Sequence, residues 1–386
     1  MLNSQKKILI VIPSFEIGGT IVSLSSLLSI INPSILNVDV LPLNASGPYK
    51  DRLPNCTIIP ENIWLSNRIV EGNIIKKVLW FIIYATKYIF NKLGGNLNPF
   101  FAKIGCNQIN TMKYDAVISY TESISNIVCS YPVKKRIAWI HCDYKRYQQL
   151  IGLKDESNVY SKYNEIVCVS EYAKLGFTCI YPQFKDKVHA IHNVINVKDI
   201  QDKAKQISDL DEKFDTSNFT IVSAGRLDPV KQFDQIPFIA SAVKALTKTP
   251  FKWYIIGGNR GFETYEQKII QEIKRCKVDT IVCLLPEKSN IYPYFAKANL
   301  YVSTSKSESY PLVVNEAIAL GVKVIANNFE SARESIKDDE NGFIVPNEIM
   351  AEKISNLIDN KLPTNTGIDG GKSDTDLVLQ QIYTII

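Results

Sequence analysis

Residues Ser303–Ala326, STSKSESYPLVVNEAIALGVKVIA, predict a loop, a helix and a strand in close succession. Pro311 has no backbone N–H and therefore suits the first position of that helix. Glu308 then lies in the loop, and Glu316 lies about one turn into the helix. Because Leu300–Thr304 predicts a strand just before the loop, both carboxylates are expected at the carboxyl edge of a sheet, where open α/β sheets bind ligands.

The start of the same helix predicts an anion site. The backbone N–H groups of Leu312 and Val313 would have no partner within the helix, and this end of a helix favours a phosphate. Two acids beside such a helix end suit a ligand that is both polyhydroxylated and phosphorylated, such as a nucleotide sugar. Two solvated surface glutamates would explain an isolated pair more simply, so this interpretation depends on the rest of the chain.

The composition is that of an ordinary soluble globular protein. The 386 residues are too many for one core and natural for two domains. The net charge of +5 does not demand a nucleic acid partner, and we expect none. Eight scattered cysteines without a C-x-x-C pair favour reduced thiols in a cytosolic protein. With three histidines we expect no metal centre, and no apolar run suits a signal peptide or a membrane span.

Strand-like apolar runs recur along the chain, with helical segments between most of them. This alternation predicts an α/β protein with two tandem Rossmann-like domains that face each other across a cleft. We place the N-terminal domain at residues 1–195, the C-terminal domain at 196–362, and a polar segment with a final helix, which could cross back to the N-terminal domain, at 363–386. The predicted strands are Ile8–Pro13, Val38–Pro42, Asp115–Tyr120, Arg136–Ile140, Glu165–Ser170, Lys187–His192, Phe219–Ser223, Trp253–Ile256, Thr280–Leu285, Leu300–Thr304, Lys323–Ala326 and Phe343–Val345.

A second charged motif follows the predicted strand Phe219–Ser223. Asp228 is predicted as the N-cap of a helix, which puts Lys231 in the first helical turn. A helix dipole disfavours a cation there by about 0.3–1 kcal/mol, so Lys231 is easier to explain if an anion shares the site. Together with Arg226, just past the strand, it would suit a diphosphate and would stabilise the charge that grows on a departing one. Two solvated charges beside a turn are the alternative.

Two further segments each have two interpretations. Gly18 and Gly19 lie between a predicted strand and a predicted helix, Ile21–Ile31, and could let a phosphate approach the backbone, or could form a plain tight turn. Ile74–Phe90 predicts an amphipathic helix with a basic side and an apolar side. Such a helix suits a membrane interface, but an ordinary helix packed on its own sheet explains the pattern equally well. The basic side carries Lys76, Lys77 and Lys87 and has Trp80, Tyr84 and Tyr88 on or near it.

The order of the motifs resembles the retaining glycosyltransferases of family 4, which share the B-type glycosyltransferase fold of two Rossmann-like domains. The resemblance covers nearly the whole chain and is strongest from about Ile191 to Pro346. The motifs that carry it are IGGT (Ile17–Thr20), WIHCDY (Trp139–Tyr144), VCVSEYAK (Val167–Lys174), IHNVI (Ile191–Ile195), AGRLDPVKQ (Ala224–Gln232), SNIYPYFAKANLYVSTS (Ser289–Ser305) and ESYPLVVNEAIALG (Glu308–Gly321).

The resemblance implies roles for the charged residues of the C-terminal domain. Arg226 and Lys231 match the pair that binds the donor diphosphate in this family. Glu316 matches the acid that holds the ribose, and Glu308 matches the acid that contacts the transferred sugar.

The resemblance also implies roles for uncharged groups of both domains. The backbone at Leu312 and Val313 matches the segment that touches sugar and phosphate. Gly18 and Gly19 match the loop that closes over the phosphates. His141 resembles a histidine near the sugar, although a core or interface histidine would explain it too.

These implications predict a retaining, metal-independent hexosyltransferase that uses no cofactor. It would transfer a hexose or N-acetylhexosamine from a nucleoside-diphosphate sugar to a lipid-linked oligosaccharide, in bacterial capsule or other surface polysaccharide synthesis. We expect it in the cytoplasm, peripherally bound to an anionic membrane surface at the inner face of the cell membrane. A nucleotide-sugar epimerase of the same architecture and a non-catalytic partner subunit of a glycosyltransferase are the alternatives.

Overall fold

The structure is a computed structural model that describes residues 5–66, 69–70, 72–93, 95, 97–152, 155–206, 210–360 and 375–386. Of the predicted polar segment before the last helix, residues 363–374 lie outside this part. The described residues form two compact units. One runs to Val194 and includes the C-terminal helix, and the other runs from Ile195 to Asn360. Each unit is built on a parallel sheet, which confirms the predicted pair of α/β domains.

The sheet of the N-terminal unit has seven strands, which are β1 (Lys6–Ile12), β2 (Leu36–Pro42), β3 (Thr57–Ile58), β4 (Ala116–Ser119), β5 (Arg136–Ile140), β6 (Glu165–Cys168) and β7 (Val188–Ala190). Their order is β3-β2-β1-β4-β5-β6-β7, with every neighbouring pair parallel. The central strand β1 is a continuous apolar run because helices cover both faces of a doubly wound sheet. Accordingly, Ile8 to Ile12 are at most 1% exposed.

Seven helices connect these strands within the described part of the N-terminal unit. They are α1 (Gly19–Ile30), α2 (Ile74–Lys92), α3 (Asn98–Ile109), α4 (Ser125–Val128), α5 (Tyr144–Ile151), α6 (Ser157–Tyr160) and α7 (Glu171–Ile180). Ser170 caps α7, because its hydroxyl accepts a hydrogen bond from Ala173 N at 2.9 Å. Asp143 likewise caps α5 through Arg146 N.

The C-terminal unit has a six-stranded parallel sheet. The strands are β8 (Phe219–Ala224), β9 (Phe251–Ile256), β10 (Val282–Leu285), β11 (Leu300–Ser303), β12 (Lys323–Ala326) and β13 (Gly342–Ile344). The helices are α8 (Val197–Ala204), α9 (Ile236–Leu246), α10 (Glu263–Arg275), α11 (Tyr292–Lys297), α12 (Leu312–Ala319) and α13 (Met350–Asp359). The strand order β10-β9-β8-β11-β12-β13 reverses direction between β8 and β11. Ligands of open α/β sheets bind outside the carboxyl ends of the strands at such a reversal.

The last helix, α14 (Thr375–Ile385), belongs to the N-terminal unit. Val378, Ile382 and Ile385 are its buried residues, spaced as one face of a helix. Asn32 N donates a hydrogen bond of 3.3 Å to the hydroxyl of Tyr383, which ties α14 to the loop after α1.

In helix α2, a basic residue lies on the inward side and large apolar residues lie on the outward side. Trp80 and Ile83 are its buried residues, at 7% and 5% exposure. Lys87 lies on this inner side and donates from Nζ to Trp64 O at 3.0 Å. Of the three lysines predicted on the basic side, Lys87 packs on the unit, whereas Lys76 and Lys77 are exposed. None of the described helices has the length and apolar character needed to cross a membrane.

The opposite side of α2 is apolar and faces solvent. Its large exposed side chains are Ile74, Ile75, Val78, Leu79, Phe81, Ile82, Ile89 and Phe90. An ordinary domain helix buries such residues against its own sheet. Helix α2 therefore packs on the unit through Trp80 and Ile83 and exposes a larger apolar side, and its membrane role stays a prediction.

Candidate functional site

The candidate site lies at the carboxyl edge of the C-terminal sheet, where β8 and β11 are neighbours. Ile221 and Val222 of β8 pair with Leu300 and Tyr301 of β11, so the loops after the two strands leave the sheet side by side. The loop after β8 carries Arg226 and Lys231, and the loop after β11 carries Glu308.

Hydrogen bonds hold these two loops together. Thr304 donates from its hydroxyl to Lys231 O at 2.7 Å, and Lys306 N donates to Val230 O at 2.8 Å. Asn347 also donates from its side-chain amide to Thr304 O at 3.2 Å. These contacts fix the separation of the two loops, so the charged side chains on them are positioned by the backbone.

Lys231 and Glu308 form the central ion pair of this edge. The ammonium of Lys231 donates to Oε1 of Glu308 at 2.6 Å. Both side chains are largely shielded, at 18% and 16% exposure. Removing one member of a buried pair costs about 3–5 kcal/mol, because the remaining charge has no partner. An ammonium has three N–H donors, and Glu308 accepts from one of them.

Arg226 is held in the same loop by Asp228. Its Nε and Nη2 donate to Oδ2 of Asp228 at 2.8 and 2.5 Å. The guanidinium is 56% exposed, whereas the carboxylate of Asp228 is 3% exposed. The guanidinium of Arg226 also lies over the ring of Phe262, with 5.8 Å between the guanidinium carbon and the ring centre. The arrangement fixes one side of the guanidinium and leaves another side open to a ligand.

The turn that contains Lys231 differs from the predicted helix. Asp228 is the N-cap as predicted, since its Oδ1 accepts a hydrogen bond from Val230 N at 2.8 Å. The capped element is only a 3-10 turn, Pro229–Lys231, because Gln232 adopts the left-handed conformation with φ of +49°. The helix predicted after Asp228 is therefore this single 3-10 turn, and Lys231 is its last residue. The anion that shares its position is Glu308.

A glycine next to this edge is required by close backbone packing. A Cβ atom added to Gly257, just past β9, would lie 1.9 Å from the carbonyl oxygen of Gly225. Gly225 itself has φ of +150°, which residues with a side chain rarely adopt. The backbone turns that present Arg226 therefore depend on two residues without side chains.

Helix α12 begins beside the same loop. Pro311 is its N-cap, with φ of −79° and ψ of 84°, and not its first helical residue as predicted. The helix starts one residue later because ψ of Pro311 is extended rather than helical. No side chain in the described part of the chain caps this end. The first N–H groups of the helix, those of Leu312 and Val313, have no carbonyl partner within it.

Glu316 is the buried acid of α12, at 5% exposure. Burial raises the pKa of Glu316 to about 7, and the hydrogen bond of 3.1 Å from the hydroxyl of Tyr292 partly opposes this. Tyr301 lies close enough to both acids for their charges to affect its pKa. Burial raises the pKa of Tyr301 most, and the charges of Glu308 and Glu316 raise it further. The structure thus brings Arg226, Lys231, Glu308 and Glu316 to one region of the C-terminal unit.

The remaining predicted residues lie at the carboxyl edge of the N-terminal sheet. Gly18 is the N-cap of α1, and Gly19 is its first residue. Among the described residues, no atom lies within 4 Å of a Cβ added to Gly18, whose backbone is extended, so packing does not require a glycine there. No described side chain caps α1, and its first turn has no acidic residue.

His141 directly follows β5 and is desolvated. Its Nε2 is buried and has no hydrogen-bond partner among the described residues. Burial lowers the pKa of His141 to about 3, so the imidazole is neutral at ordinary pH. Its backbone N donates to Oε2 of Glu122 at 2.9 Å. Burial also raises the pKa of Glu122.

The sequence did not identify Asp228 as the partner of Arg226, nor Glu122, Tyr292 and Tyr301. The position of Asp228 two residues after Arg226 was visible, but a contact within one loop has no periodicity that would reveal it. Glu122 and Tyr301 could have been noticed as polar residues at or after predicted strands. Their burial depends on tertiary packing.

The chain was compared with known proteins. A family model described as glycosyl transferases group 1 matches residues 204–367. An uncharacterized glycosyltransferase of Haemophilus influenzae is 24% identical over 58% of this chain and 59% of that protein. An uncharacterized 41.2 kDa protein in the cps region of Klebsiella pneumoniae is 23% identical over 72% of this chain and 78% of that protein.

The name of a third relative specifies a reaction. The N-acetylgalactosamine-N,N'-diacetylbacillosaminyl-diphospho-undecaprenol 4-alpha-N-acetylgalactosaminyltransferase of Campylobacter jejuni is 29% identical over 41% of this chain and 40% of that protein. The chain therefore spans well under two thirds of this relative and of the Haemophilus protein.

Solved structures agree with the fold over nearly the whole chain. Anabaena HepE in complex with UDP-glucose has a TM-score of 0.69 at 16% identity and covers 98% of both chains. S. aureus TarM, in a complex that contains UDP, has a TM-score of 0.70 at 14% identity and covers 99% of both chains. The family match, the cps-region relative and the B-type fold together support a group 1 glycosyltransferase.

Proposed function

We propose that this chain transfers a hexose or N-acetylhexosamine from a nucleoside-diphosphate sugar to a lipid-linked oligosaccharide, with retention of the anomeric configuration. The observation that carries the proposal is the Lys231–Glu308 pair at the reversal between β8 and β11. It puts a cation for a phosphate and a carboxylate for sugar hydroxyls 2.6 Å apart, at the edge where such sheets bind ligands.

In this proposal the two cations hold the donor diphosphate. Arg226 presents its open side to one phosphate, and Lys231 uses its remaining N–H donors on the other. As the bond to the sugar breaks, negative charge grows on the departing diphosphate, and these fixed cations stabilise it. The N–H groups of Leu312 and Val313 contribute to the same anion, so the reaction needs no bound metal.

The two acids hold the sugars of the donor. Glu308 accepts hydrogen bonds from hydroxyls of the transferred sugar, and Lys231 fixes the direction of its carboxylate. Glu316 accepts hydrogen bonds from the ribose hydroxyls. The Glu316 carboxyl requires such donors, because a buried carboxylate is stable only when it is hydrogen-bonded.

The N-terminal unit supplies uncharged groups in this proposal. Gly18 and Gly19 leave the start of α1 open to the phosphates, since the space beside Gly18 is empty. His141 offers a neutral imidazole whose Nε2 has no protein partner among the described residues, which suits a hydrogen bond to a sugar hydroxyl. Retention then follows from attack on the face from which the diphosphate leaves, with that diphosphate accepting the acceptor's proton.

The acceptor class rests on the N-terminal unit and one relative. The Campylobacter jejuni protein is named for a diphospho-undecaprenol substrate. The outward apolar side of α2, flanked by Lys76, Lys77 and Lys92, suits an anionic membrane surface at which such a lipid is found. We place the enzyme peripherally at the inner face of the bacterial cell membrane, in synthesis of capsule or another surface polysaccharide.

A product assay tests this function. The purified chain is incubated with a panel of nucleotide sugars, with and without a lipid-linked oligosaccharide, and the products are identified by mass spectrometry and NMR. The proposal predicts an acceptor-dependent glycoside with the anomeric configuration of the donor. An epimerised sugar released from donor alone would identify an epimerase, and absence of donor binding would identify a non-catalytic subunit.

A further inference from the structure

Beneath α2 lies a cavity of about 250 Å³ that the proposed reaction does not use. It is bounded by α2, α3, the 64–66 loop and the segment around residues 127–130. Most of its wall is aromatic or aliphatic, and one cation faces it. The residues that matter here are Trp64, Tyr84, Lys87, Tyr88, Ala102 and Ile127.

The cation that faces the cavity is Lys87. Its Nζ donates to Trp64 O at 3.0 Å and lies 5.1 Å from the ring centre of Phe101. No carboxylate of the described residues lies within 4.0 Å of it. Burial lowers the pKa of Lys87. A half-buried ammonium with one carbonyl acceptor has unused donors and a desolvated charge, which an anion in the cavity would satisfy.

Lys187 is another partly buried lysine of the N-terminal unit and serves as a comparison. Its Nζ donates to two carbonyl oxygens, Tyr160 O at 2.8 Å and Tyr163 O at 2.6 Å. The charge of Glu165 partly offsets the burial that lowers the pKa of Lys187. Among the described residues, Lys87 has one carbonyl acceptor and Lys187 has two, so Lys87 is the less satisfied of the two ammonium groups.

The cavity also has a route to the apolar surface of α2. Tyr84 and Tyr88 line it, and each is about half exposed, at 46% and 53%. Their rings stack along the helix, with centres 6.5 Å apart. A hydrocarbon chain that leaves the cavity past these rings reaches the exposed apolar side of the same helix.

We propose that this cavity binds the phosphate end of a long-chain isoprenoid lipid, with the phosphate on Lys87 and the chain leaving past Tyr84 and Tyr88. Lys87 requires an anion, and the mainly apolar wall requires a hydrocarbon attached to it. The choice of an isoprenoid rests on the proposed function, because a lipid-linked acceptor carries its phosphate on such a chain. The cavity would hold the lipid part of the acceptor, away from the sugars that react.

Tryptophan fluorescence of the full-length chain tests this directly, because Trp64 lines the cavity. The probes are farnesyl phosphate, farnesol, inorganic phosphate and a short-chain phosphatidylglycerol, each below its micelle-forming concentration. We expect a saturable change with farnesyl phosphate, with affinity about tenfold or more above that of the other three. Equal affinity for farnesol or for inorganic phosphate would overturn the site, and equal affinity for phosphatidylglycerol would overturn its assignment to an isoprenoid.

The matched variants are Lys87→Met and Lys187→Met. The first should weaken farnesyl phosphate binding about tenfold or more, and the second should leave it unchanged. Ala102→Phe narrows the cavity from α3 without changing charge and should weaken binding as well. If Lys87→Met fails to fold, Ala102→Phe decides the matter, and unchanged binding by a folded variant of either kind would contradict the proposal.

Donor binding by the same variants separates this proposal from the proposed function. Lys87→Met should bind nucleotide sugars as the wild type does. If the chain binds no nucleotide sugar but binds farnesyl phosphate through Lys87, the cavity proposal stands and the proposed reaction is contradicted. If transferase activity is normal but farnesyl phosphate does not bind, the proposed reaction stands and the cavity proposal is contradicted.

Discussion

The two sheets share a strand order but differ in the chemistry of their carboxyl edges. In both, the order reverses beside the first strand, between β1 and β4 and between β8 and β11. The C-terminal edge carries charges that are already paired, Lys231 with Glu308 and Arg226 with Asp228. The N-terminal edge carries a desolvated, neutral His141. The topology determines where a site can form, and the residues that follow the strands determine what it can bind.

The pairing at the C-terminal edge has an energetic reason. Without a bound diphosphate, the two cations would repel each other and would be partly desolvated. Carboxylates within the same loops therefore stabilise them in the absence of ligand. At the N-terminal edge the imidazole of His141 is neutral and needs no counter-charge. Groups such as His141 Nε2 can stay unpaired there at the smaller cost of a neutral polar atom.

Breaking the charged edge should have the largest effect. We expect Lys231→Met to lower kcat/KM by about 100- to 1000-fold, because it removes a fixed cation at the leaving group. It should also lower the free energy of unfolding by about 3 kcal/mol, because Glu308 loses its partner. Steady-state kinetics and urea denaturation measure the two effects.

Two controls accompany this prediction. Lys274→Met, at an exposed position of α10, should change neither quantity appreciably. The double variant Lys231→Met with Glu308→Gln should recover stability but not activity. Full activity of the single variant would show that the ion pair is only structural.

The burial of Glu316 should lower the free energy of unfolding above pH 7 by about 3 kcal/mol at most. Its pKa in the folded chain, about 7, lies above the ordinary value of 4.5, so the folded chain holds more protons between these values. Stability is therefore predicted to fall as pH rises from about 4.5 to 7 and to stay level above that. Glu316→Gln should flatten this slope and raise stability at pH 8 while weakening donor binding.

Urea denaturation across this pH range gives the slope. The exposed acid variant Glu330→Gln is the control and should keep the wild-type slope. An unchanged slope in Glu316→Gln would mean that Glu316 is not desolvated.

The glycines of the two edges should respond differently to alanine. Gly257→Ala should lower the free energy of unfolding by roughly 1–3 kcal/mol, because the new Cβ would collide with Gly225 O. Gly18→Ala should change it by less than about 0.5 kcal/mol, because its surroundings are open and its backbone is extended. Chemical denaturation distinguishes them, and equal destabilisation of both variants would contradict the comparison.

Near neutral pH, the titration of His141 at the N-terminal edge should have only a small effect on stability. Since the pKa of His141 is lowered to about 3 from 6.5, its stabilising contribution is complete above pH 6.5 and is lost as the pH falls towards 3. At pH 5.5 the loss is about 1.4 kcal/mol. NMR of the histidine side chains, assigned with His141→Gln, should show no titration of His141 between pH 8 and 5. A midpoint near 6.5 would show that the imidazole is hydrated.

Much of the fold was predictable because local patterns determine it. Arg136–Ile140 and Lys323–Ala326 were predicted with their observed limits, since continuous apolar runs between turn residues define buried strands. The strand Thr57–Ile58 was missed because two residues have no measurable pattern. The side of α2 that packs inward was not predictable, because both its sides carry large apolar or aromatic residues and tertiary packing chooses between them.

The candidate site was predictable in its location but not in its contacts. Strand ends placed Arg226, Lys231 and Glu308 at one edge, and the structure brings the last two into contact. The 3-10 turn at Lys231 depends on the left-handed conformation of Gln232, which glutamine rarely adopts and which the sequence does not indicate. The burial of Glu316 likewise results from packing of α12 on the rest of the unit.

Calorimetric titration of a nucleoside diphosphate into the full-length chain tests the central claim most directly. UDP and GDP are titrated into the wild type and into the variant that combines Arg226→Gln with Lys231→Met. The account predicts saturable binding of at least one nucleotide to the wild type and an affinity lower by about 100-fold or more in the variant. Equal binding to both proteins, or no binding of either nucleotide to the wild type, would contradict it.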